Sequence, residues 1–185
     1  MKRILLFAAL VGLIGAPALA GSNAGNSGEI GFGYGQSDVG SESTGVDTAQ
    51  FLGVRGGYDF NQMFEIEGQF ASSSEDGDIA GTDVDMTMRV LMVNGLYNFR
   101  PAKKEFVPYV MAGIGRSDVE VEGGGITADD NSVAYQVGGG TRIFFGKTKR
   151  TAFRMDLSLL RDDNFDDTST TRTLTAGLTW RLGGR

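Results

Sequence analysis

The sequence predicts an all-β fold, an eight-stranded antiparallel up-and-down transmembrane β-barrel, and three observations predict it. Apolar residues recur at every second position in stretch after stretch between Glu29 and Leu182. The positions opposite them hold mainly Gly, Ser, Thr, Gln and Ala with scattered Arg and Glu, small side chains that suit a narrow lumen rather than a solvated face. The connections alternate between short and long, the pattern of a bilayer-spanning barrel with turns on one side and loops on the other. Composition agrees, because 29 Gly, three Pro and 41% apolar content fit a single turn-rich β domain in 185 residues.

The elements follow in order. Met1-Lys2-Arg3 is a basic start, Ile4 to Ile14 an apolar run broken by Gly15 and Pro17, and Ala18-Leu19-Ala20 an A-x-A cleavage site. Residues 1–20 are therefore expected to be a cleaved signal peptide and 21–185 the barrel domain. The apolar run falls short of the roughly 20 residues that a spanning helix needs, which disfavours a membrane anchor. Lacking Cys, the chain has no lipoprotein attachment site, disulfide framework or thiolate metal site. Without Lys2 and Arg3, 15 basic residues face 23 acidic ones, a net charge of about −8. Phosphate recognition needs clustered Lys and Arg, so nucleic acid is excluded as a partner.

In the first strand Ile30, Phe32 and Tyr34 share one face and Glu29, Gly31, Gly33 and Gly35 the other. The second sets Leu52, Val54, Gly56 and Tyr58 against Gly53, Arg55, Gly57 and Asp59. The third sets Phe64, Ile66, Gly68 and Phe70 against Glu65, Glu67, Gln69 and Ala71. The fourth sets Met86, Met88, Val90 and Met92 against Thr87, Arg89 and Leu91, which turns Asn94 toward lipid unless a bulge shifts the phase after Met92. In the fifth, Val107 to Gly115, both faces are apolar or Gly; the registers of the fourth and fifth strands stay open. The sixth sets Val133, Tyr135, Val137, Ile143 and Phe145 against Gln136, Gly138, Gly140 and Arg142, and the seventh sets Phe153, Met155, Leu157 and Leu159 against Arg154, Asp156 and Ser158. The eighth alternates Leu174, Ala176, Leu178, Trp180 and Leu182 with Thr173, Thr175, Gly177, Thr179 and Arg181. Tyr58, Phe60, Phe145 and Trp180, near strand ends, match an interfacial girdle.

Asp59 to Gln62, Phe99 to Glu105 and Gly146 to Arg150 are short connections, the last two basic, and are assigned to the periplasm. Ser37 to Asp47, Ser73 to Asp83, Ser117 to Asn131 and Arg161 to Ser169 are longer, acidic and assigned to the outside as loops.

Val93-Asn94-Gly95-Leu96-Tyr97-Asn98-Phe99, a basic turn, then Pro108-Tyr109-Val110-Met111-Ala112-Gly113-Ile114-Gly115 resembles the centre of the small outer-membrane β-barrel family of opacity-type surface proteins and OmpA-like transmembrane domains. The resemblance in order and spacing runs from about Gly28 to Leu182. Thr175 to Leu182 looks like the C-terminal signal that the family's assembly machinery reads, although the family usually stops on Phe or Trp and here Gly183-Gly184-Arg185 follows. The resemblance implies a multi-pass protein of the cell outer membrane, in contact with outer-membrane lipid. It does not imply the peptidoglycan-binding domain of full-length OmpA-like proteins.

Enzymatic outer-membrane barrels would imply a catalytic His, and the sequence has none. Glu65 and Glu67 lie about 7 Å apart by strand rise, which superficially suits a carboxylate pair. Arg55, Arg89, Arg142, Arg154 and Arg181 fall on the same lumenal side, as do Glu29 and Asp156. In an eight-stranded barrel the interior is just wide enough for side chains, and buried ions must find partners. A lumenal ion-pair network of Arg55, Glu65, Glu67, Arg89, Arg142, Arg154 and Asp156 is the better expectation. Asp76-Gly77-Asp78, Asp129-Asp130 and Asp162 to Asp167 lack EF-hand spacing and read as solvated loop charge rather than a metal site. Arg116, Arg161 and Arg172, near the outer strand ends, suit lipopolysaccharide phosphates and equally suit snorkelling to the interface. Three Gly-rich runs, at Gly31 to Gly35, Gly123 to Gly125 and Gly138 to Gly140, have no following helix and carry no nucleotide-loop reading.

The expectation is a non-enzymatic, porin-like or opacity-like surface barrel without cofactor, its lumen filled by side chains, that supports the outer membrane or presents acidic loops to an unknown extracellular partner. A narrow channel or a conduit for small solutes is the alternative.

Overall fold

A computed structural model of the chain describes residues 27–39, 49–79, 82–99, 105–123, 126–164 and 167–183. The signal-peptide reading of 1–20 lies outside them, as do the basic positions 100–104. Eight strands run in chain order: β1 Ser27–Val39, β2 Ala49–Asp59, β3 Phe64–Ile79, β4 Thr82–Asn98, β5 Phe106–Gly123, β6 Ile126–Phe145, β7 Thr151–Asn164 and β8 Asp167–Leu182. Each pairs antiparallel with the next, and β1 pairs with β8 from Gly28↔Leu182 to Val39↔Thr171, closing the barrel. Closure satisfies the backbone N–H and C=O groups that an open edge would leave to lipid. The all-β, eight-stranded antiparallel expectation holds.

The period of two sets the faces. Leu52, Val54, Ile66, Ile114, Val137 and Leu157 are exposed on the outside, where a bilayer takes the place of a hydrophobic core. At the turn end, aromatic rings stack edge to face around the rim: Tyr58 with Phe60 at 5.3 Å, Phe64 with Tyr97 at 5.3 Å, and Tyr97 with Phe99 at 5.1 Å. Such rings, apolar with a polar tip, favour the membrane–water boundary.

Two expectations change. In β4 the phase is opposite to the one the Met run suggests: Met92, Asn94, Leu96 and Asn98 are buried in the lumen, whereas Arg89, Leu91, Val93 and Tyr97 are exposed outside. No bulge intervenes, because the register with β3 is continuous from Phe64↔Tyr97 to Ile79↔Thr82. Putting Asn94 inside lets its amide donate to Gln69 Oε1 at 3.3 Å, whereas in lipid it would have no partner. In β5, Tyr109 and Met111 point inward and Val110 and Ile114 outward.

The second change concerns the long connections. Backbone pairing continues to Ile79↔Thr82, Gly123↔Ile126 and Asn164↔Asp167, so three of the four stretches assigned as loops are β-hairpins that extend the barrel wall. β6 has 20 residues, and a bilayer crossing uses about 9 to 11. Pairing beyond the bilayer needs no apolar face, so acid-rich and Ser-rich composition hides these strands. Residues 40–48, most of the remaining loop, lie outside those described.

Candidate functional site

The turn-side half of the lumen holds charges contributed by six strands. Inward positions of β1 and β2 supply Glu29, Arg55 and Asp59; β3 supplies Glu65 and Glu67; β6 and β7 supply Arg142, Arg154 and Asp156; and β8 supplies Arg181. Alternation aims each of them inward, and the glycines interleaved with them leave the room. At Gly140 a Cβ would stand 2.6 Å from both Tyr109 Oη and Asp156 Oδ1.

Three of the pairs cross the lumen, joining β2 to β7, β3 to β6 and β3 to β7. Arg55 Nη1 donates to Asp156 Oδ2 at 2.7 Å, bridging β2 and β7. Arg142 Nη2 lies 2.9 Å from Glu65 Oε2 across the barrel, and its Nε lies 2.9 Å from Glu29 Oε1. Arg154 engages Glu67 with both terminal nitrogens, the Nη2 to Oε1 bond being 3.1 Å, and its Nε donates to Asp156 at 3.1 Å. Asn98 accepts from Arg142 Nη1 at 3.0 Å, and Tyr109 donates its hydroxyl to Asp156. The Tyr109 ring lies between two guanidinium groups, 4.7 Å from Arg142 and 4.8 Å from Arg154. At the turn-side mouth Arg181 sits 3.9 Å from both Glu29 and Asp59, and Ser27 donates to Asp59 at 2.7 Å.

Arg142 and Arg154 are 0% and 1% exposed, and Glu67 is 1% exposed. Ions this deep persist only when opposite charge and hydrogen bonds replace their water. Arginine suits the task because its planar fork gives several donors in fixed directions and keeps its charge. Chemically, such an arrangement neutralises and fills, since each of these carboxylates accepts from or abuts a guanidinium.

Of the residues expected in the lumenal network, Arg55, Glu65, Glu67, Arg142, Arg154 and Asp156 come together and Arg89 does not. Arg89 points outward with a side chain 49% exposed and pairs with Glu120 of β5 at 3.1 Å, following from the phase of β4. Asn98, Tyr109 and Asp59 complete the network without having been singled out. For Tyr109 the signal was present: a phenol on a strand with two apolar faces needs a buried partner somewhere.

Arg116, Arg161 and Arg172 are all exposed on the outer surface, on β5, β7 and β8. Arg116 Nε donates to Asp118 two residues along at 2.8 Å. Arg161 stands opposite Tyr135 and Thr170, and Arg172 opposite Leu159, so the last two are diagonal neighbours. At the turns, Lys149 Nζ donates to Glu105 at 2.8 Å and holds that carboxyl below its ordinary range. Among the described residues no group of three or more His, Cys, Asp or Glu side chains has the arrangement of a metal site; the side chains of Asp76, Asp78 and 163–167 lie outside those described.

Above the charges, on the loop side, sits an uncharged polar layer and then a mostly apolar cavity. Asn94 bonds Gln69, and Gln136 Nε2 donates to Ser158 Oγ at 2.9 Å. Beyond them, Phe51, Ala71, Met88, Val90 and Leu160 line a small cavity of about 50 Å³ together with Gln69, Gln136 and several Ser and Thr.

Solved structures with the same architecture include the attachment invasion locus protein Ail of Yersinia pestis, at 18% identity and a TM-score of 0.59, covering 86% of this chain and 100% of that one. Neisserial surface protein A matches at 13% identity and a TM-score of 0.67, with 86% and 98% covered. The N-terminal β-barrel domain of Pseudomonas aeruginosa OprF matches at 14% and 0.55, with 84% and 99% covered. At such identities the likeness is one of fold. Among curated proteins no sequence match was found. The family model described as the outer membrane protein beta-barrel domain matches residues 6–181. With that match spanning every described strand of a closed eight-stranded barrel, the chain belongs to the outer membrane protein beta-barrel domain family and is a protein of the outer membrane.

Proposed function

We propose that this protein is a non-enzymatic surface barrel whose lumen is closed by the cross-lumen ion pairs and whose acidic outer hairpins meet partners outside the cell. The observation that carries the reading is the set of bridges from Arg55 to Asp156, Arg142 to Glu65 and Arg154 to Glu67, which occupy the section where a pore would run. The absence of His from the sequence supports the non-enzymatic part. Export by the 1–20 signal peptide and handling by the outer-membrane assembly machinery, through Thr175 to Leu182, belong to the same proposal.

Arg161 and Arg172, side by side on the outer face, are proposed to meet lipopolysaccharide phosphates, with Arg116 secondary because Asp118 already holds it. Ail has been solved in complex with the heparin analogue sucrose octasulfate. A polyanion of that kind fits this chain poorly, because the outer hairpins carry Glu75, Asp76, Asp78, Asp83, Asp85, Glu120, Glu122, Asp129 and Asp130. A cationic or uncharged extracellular partner suits them better.

The test is electrical. Purified barrel in a planar lipid bilayer should give no resolved conductance steps. Regular ohmic steps from the wild-type protein would replace the closed-lumen reading with that of a narrow channel.

A further inference from the structure

β6 lies beside β7 only as far as Ala134↔Asp162. Past that pair β7 ends at Asn164, which pairs back onto Asp167 of β8, whereas β6 continues from Val133 to Ile126 against β5 alone among the described residues. The stretch 126–133 is therefore an edge of the extended wall. Its polarity follows from the turn side, where Phe144 N–H donates to the Glu105 carbonyl: that bond sets the even-numbered residues of β6 toward β5, and the register runs unbroken to Gly123↔Ile126. In an antiparallel strand the intervening residues bond the other way, so Thr127, Asp129, Asn131 and Val133 turn their N–H and C=O groups to the open side. Asn131 agrees, since its N–H is held by the Asp130 carboxylate at 2.7 Å rather than by a backbone carbonyl. Natural sheets blunt an exposed edge with Lys, Pro or a bulge. Residues 126–133 hold neither Lys nor Pro, and the unbroken register leaves no bulge. What they hold is acid, Asp129 and Asp130, beside Glu120 and Glu122 of β5.

We propose that this edge of β6 is a strand-addition site for an extended, cationic segment of an extracellular polypeptide. The arriving backbone continues the ladder through Thr127, Asp129, Asn131 and Val133, and its Lys or Arg side chains meet Asp129 and Asp130. Backbone bonds supply the attachment, and charge selects the partner. A second copy of this chain is a poor occupant, because pairing edge to edge would set the same acids against one another. Asp130 acts as a removable cap: it occupies the Asn131 N–H until a carbonyl of the added strand takes that donor and a cation draws the carboxylate aside. The inference rests on the reading of the outer hairpins as the surface that meets partners, and narrows that surface to one strand.

The probe is a capped, fluorescent peptide of alternating Lys and Thr, about ten residues long so that it spans the edge at roughly 3.4 Å per residue. Its controls are the same peptide N-methylated at every residue, which keeps the charge but has no N–H to donate, and a counterpart with Glu in place of Lys. Fluorescence anisotropy is read against barrel in zwitterionic nanodiscs, with empty discs subtracted. Saturable binding is expected for the Lys–Thr peptide and none for either control. Thr127→Pro removes one edge N–H and no bond to β5, so binding should weaken on the order of tenfold while the faster unheated gel mobility is kept. Asp129→Asn should weaken it about threefold. Binding that survives N-methylation of the peptide is charge attraction without a ladder and overturns the proposal, as does undiminished binding to folded Thr127→Pro barrel. The N-methylated peptide decides on unaltered barrel should that variant fail to fold. Both rims of the barrel are open to solvent in a nanodisc, so this binding tests the edge alone. A tag between Gly123 and Gly125 that is labelled only in opened cells would instead overturn the outside placement of the hairpin, and with it the extracellular partner.

Discussion

Removing Glu67 would leave the Arg154 guanidinium, 1% exposed, with Asp156 as its one close carboxylate, a distant Glu29 carboxylate at 4.0 Å and the Tyr109 ring. Breaking one side of a fully buried pair costs on the order of 3 to 5 kcal/mol, more than the pair itself is worth, because the remaining ion keeps its desolvation penalty. Glu67→Ala should therefore lower the unfolding midpoint in detergent well below that of Asp129→Ala, whose side chain is exposed and whose loss should cost within about 0.5 kcal/mol. Equal midpoints, read by heating gels or by circular dichroism, would mean that water solvates Glu67. At this scale the sequence was legible where alternation was unbroken: Glu65, Glu67, Arg142 and Arg154 lie on strands whose opposite face is plainly apolar. It was not legible at Arg89, because a Met-rich strand has apolar residues in both phases and only the partner of Asn94 decides between them.

At the scale of the element, the outer hairpins are the informative surprise. Asp76↔Asp85 and Asp78↔Asp83 are register partners, so the ladder of the β3–β4 hairpin runs through an acid-rich stretch. Loop composition concealed this, since Gly, Ser and Asp read as turn formers when burial does not constrain them. The end proposed to lie outside is the one with the longer hairpins: β5 and β6, of 18 and 20 residues, meet at Gly123↔Ile126, while Gly146 and Lys149, both at positive φ, make a tight turn at the other end. An epitope tag inserted between Gly123 and Gly125 should be labelled on intact cells, and one placed after Lys103 should be labelled only once the cells are opened. The reverse pattern would turn the barrel over.

For the molecule as a whole, the outer belt of Ile, Leu, Val and Phe replaces a hydrophobic core, and the closed ladder leaves no edge in the lipid. Such a barrel stays folded in cold dodecyl sulfate and unfolds on boiling, so the mature protein should fractionate with outer membrane and migrate faster unheated than boiled. Recovery as a soluble monomer whose mobility ignores heating would contradict the membrane assignment. Fold class, strand count and closure were legible because a repeated period of two needs nothing from tertiary context; the cavity was not, since it depends on which inward side chains fall short of one another. The cross-lumen bridges also have a kinetic meaning. Arg55 and Asp156 are 101 residues apart, Arg154 and Glu67 are 87, and Arg142 and Glu65 are 77, so none of these pairs can form within a hairpin. Until β1 reaches β8, a growing sheet would present bare guanidinium and carboxylate groups on its concave side. Contacts of such long range form late and slowly. A partly assembled barrel would therefore keep that side wet until closure brings the partners together.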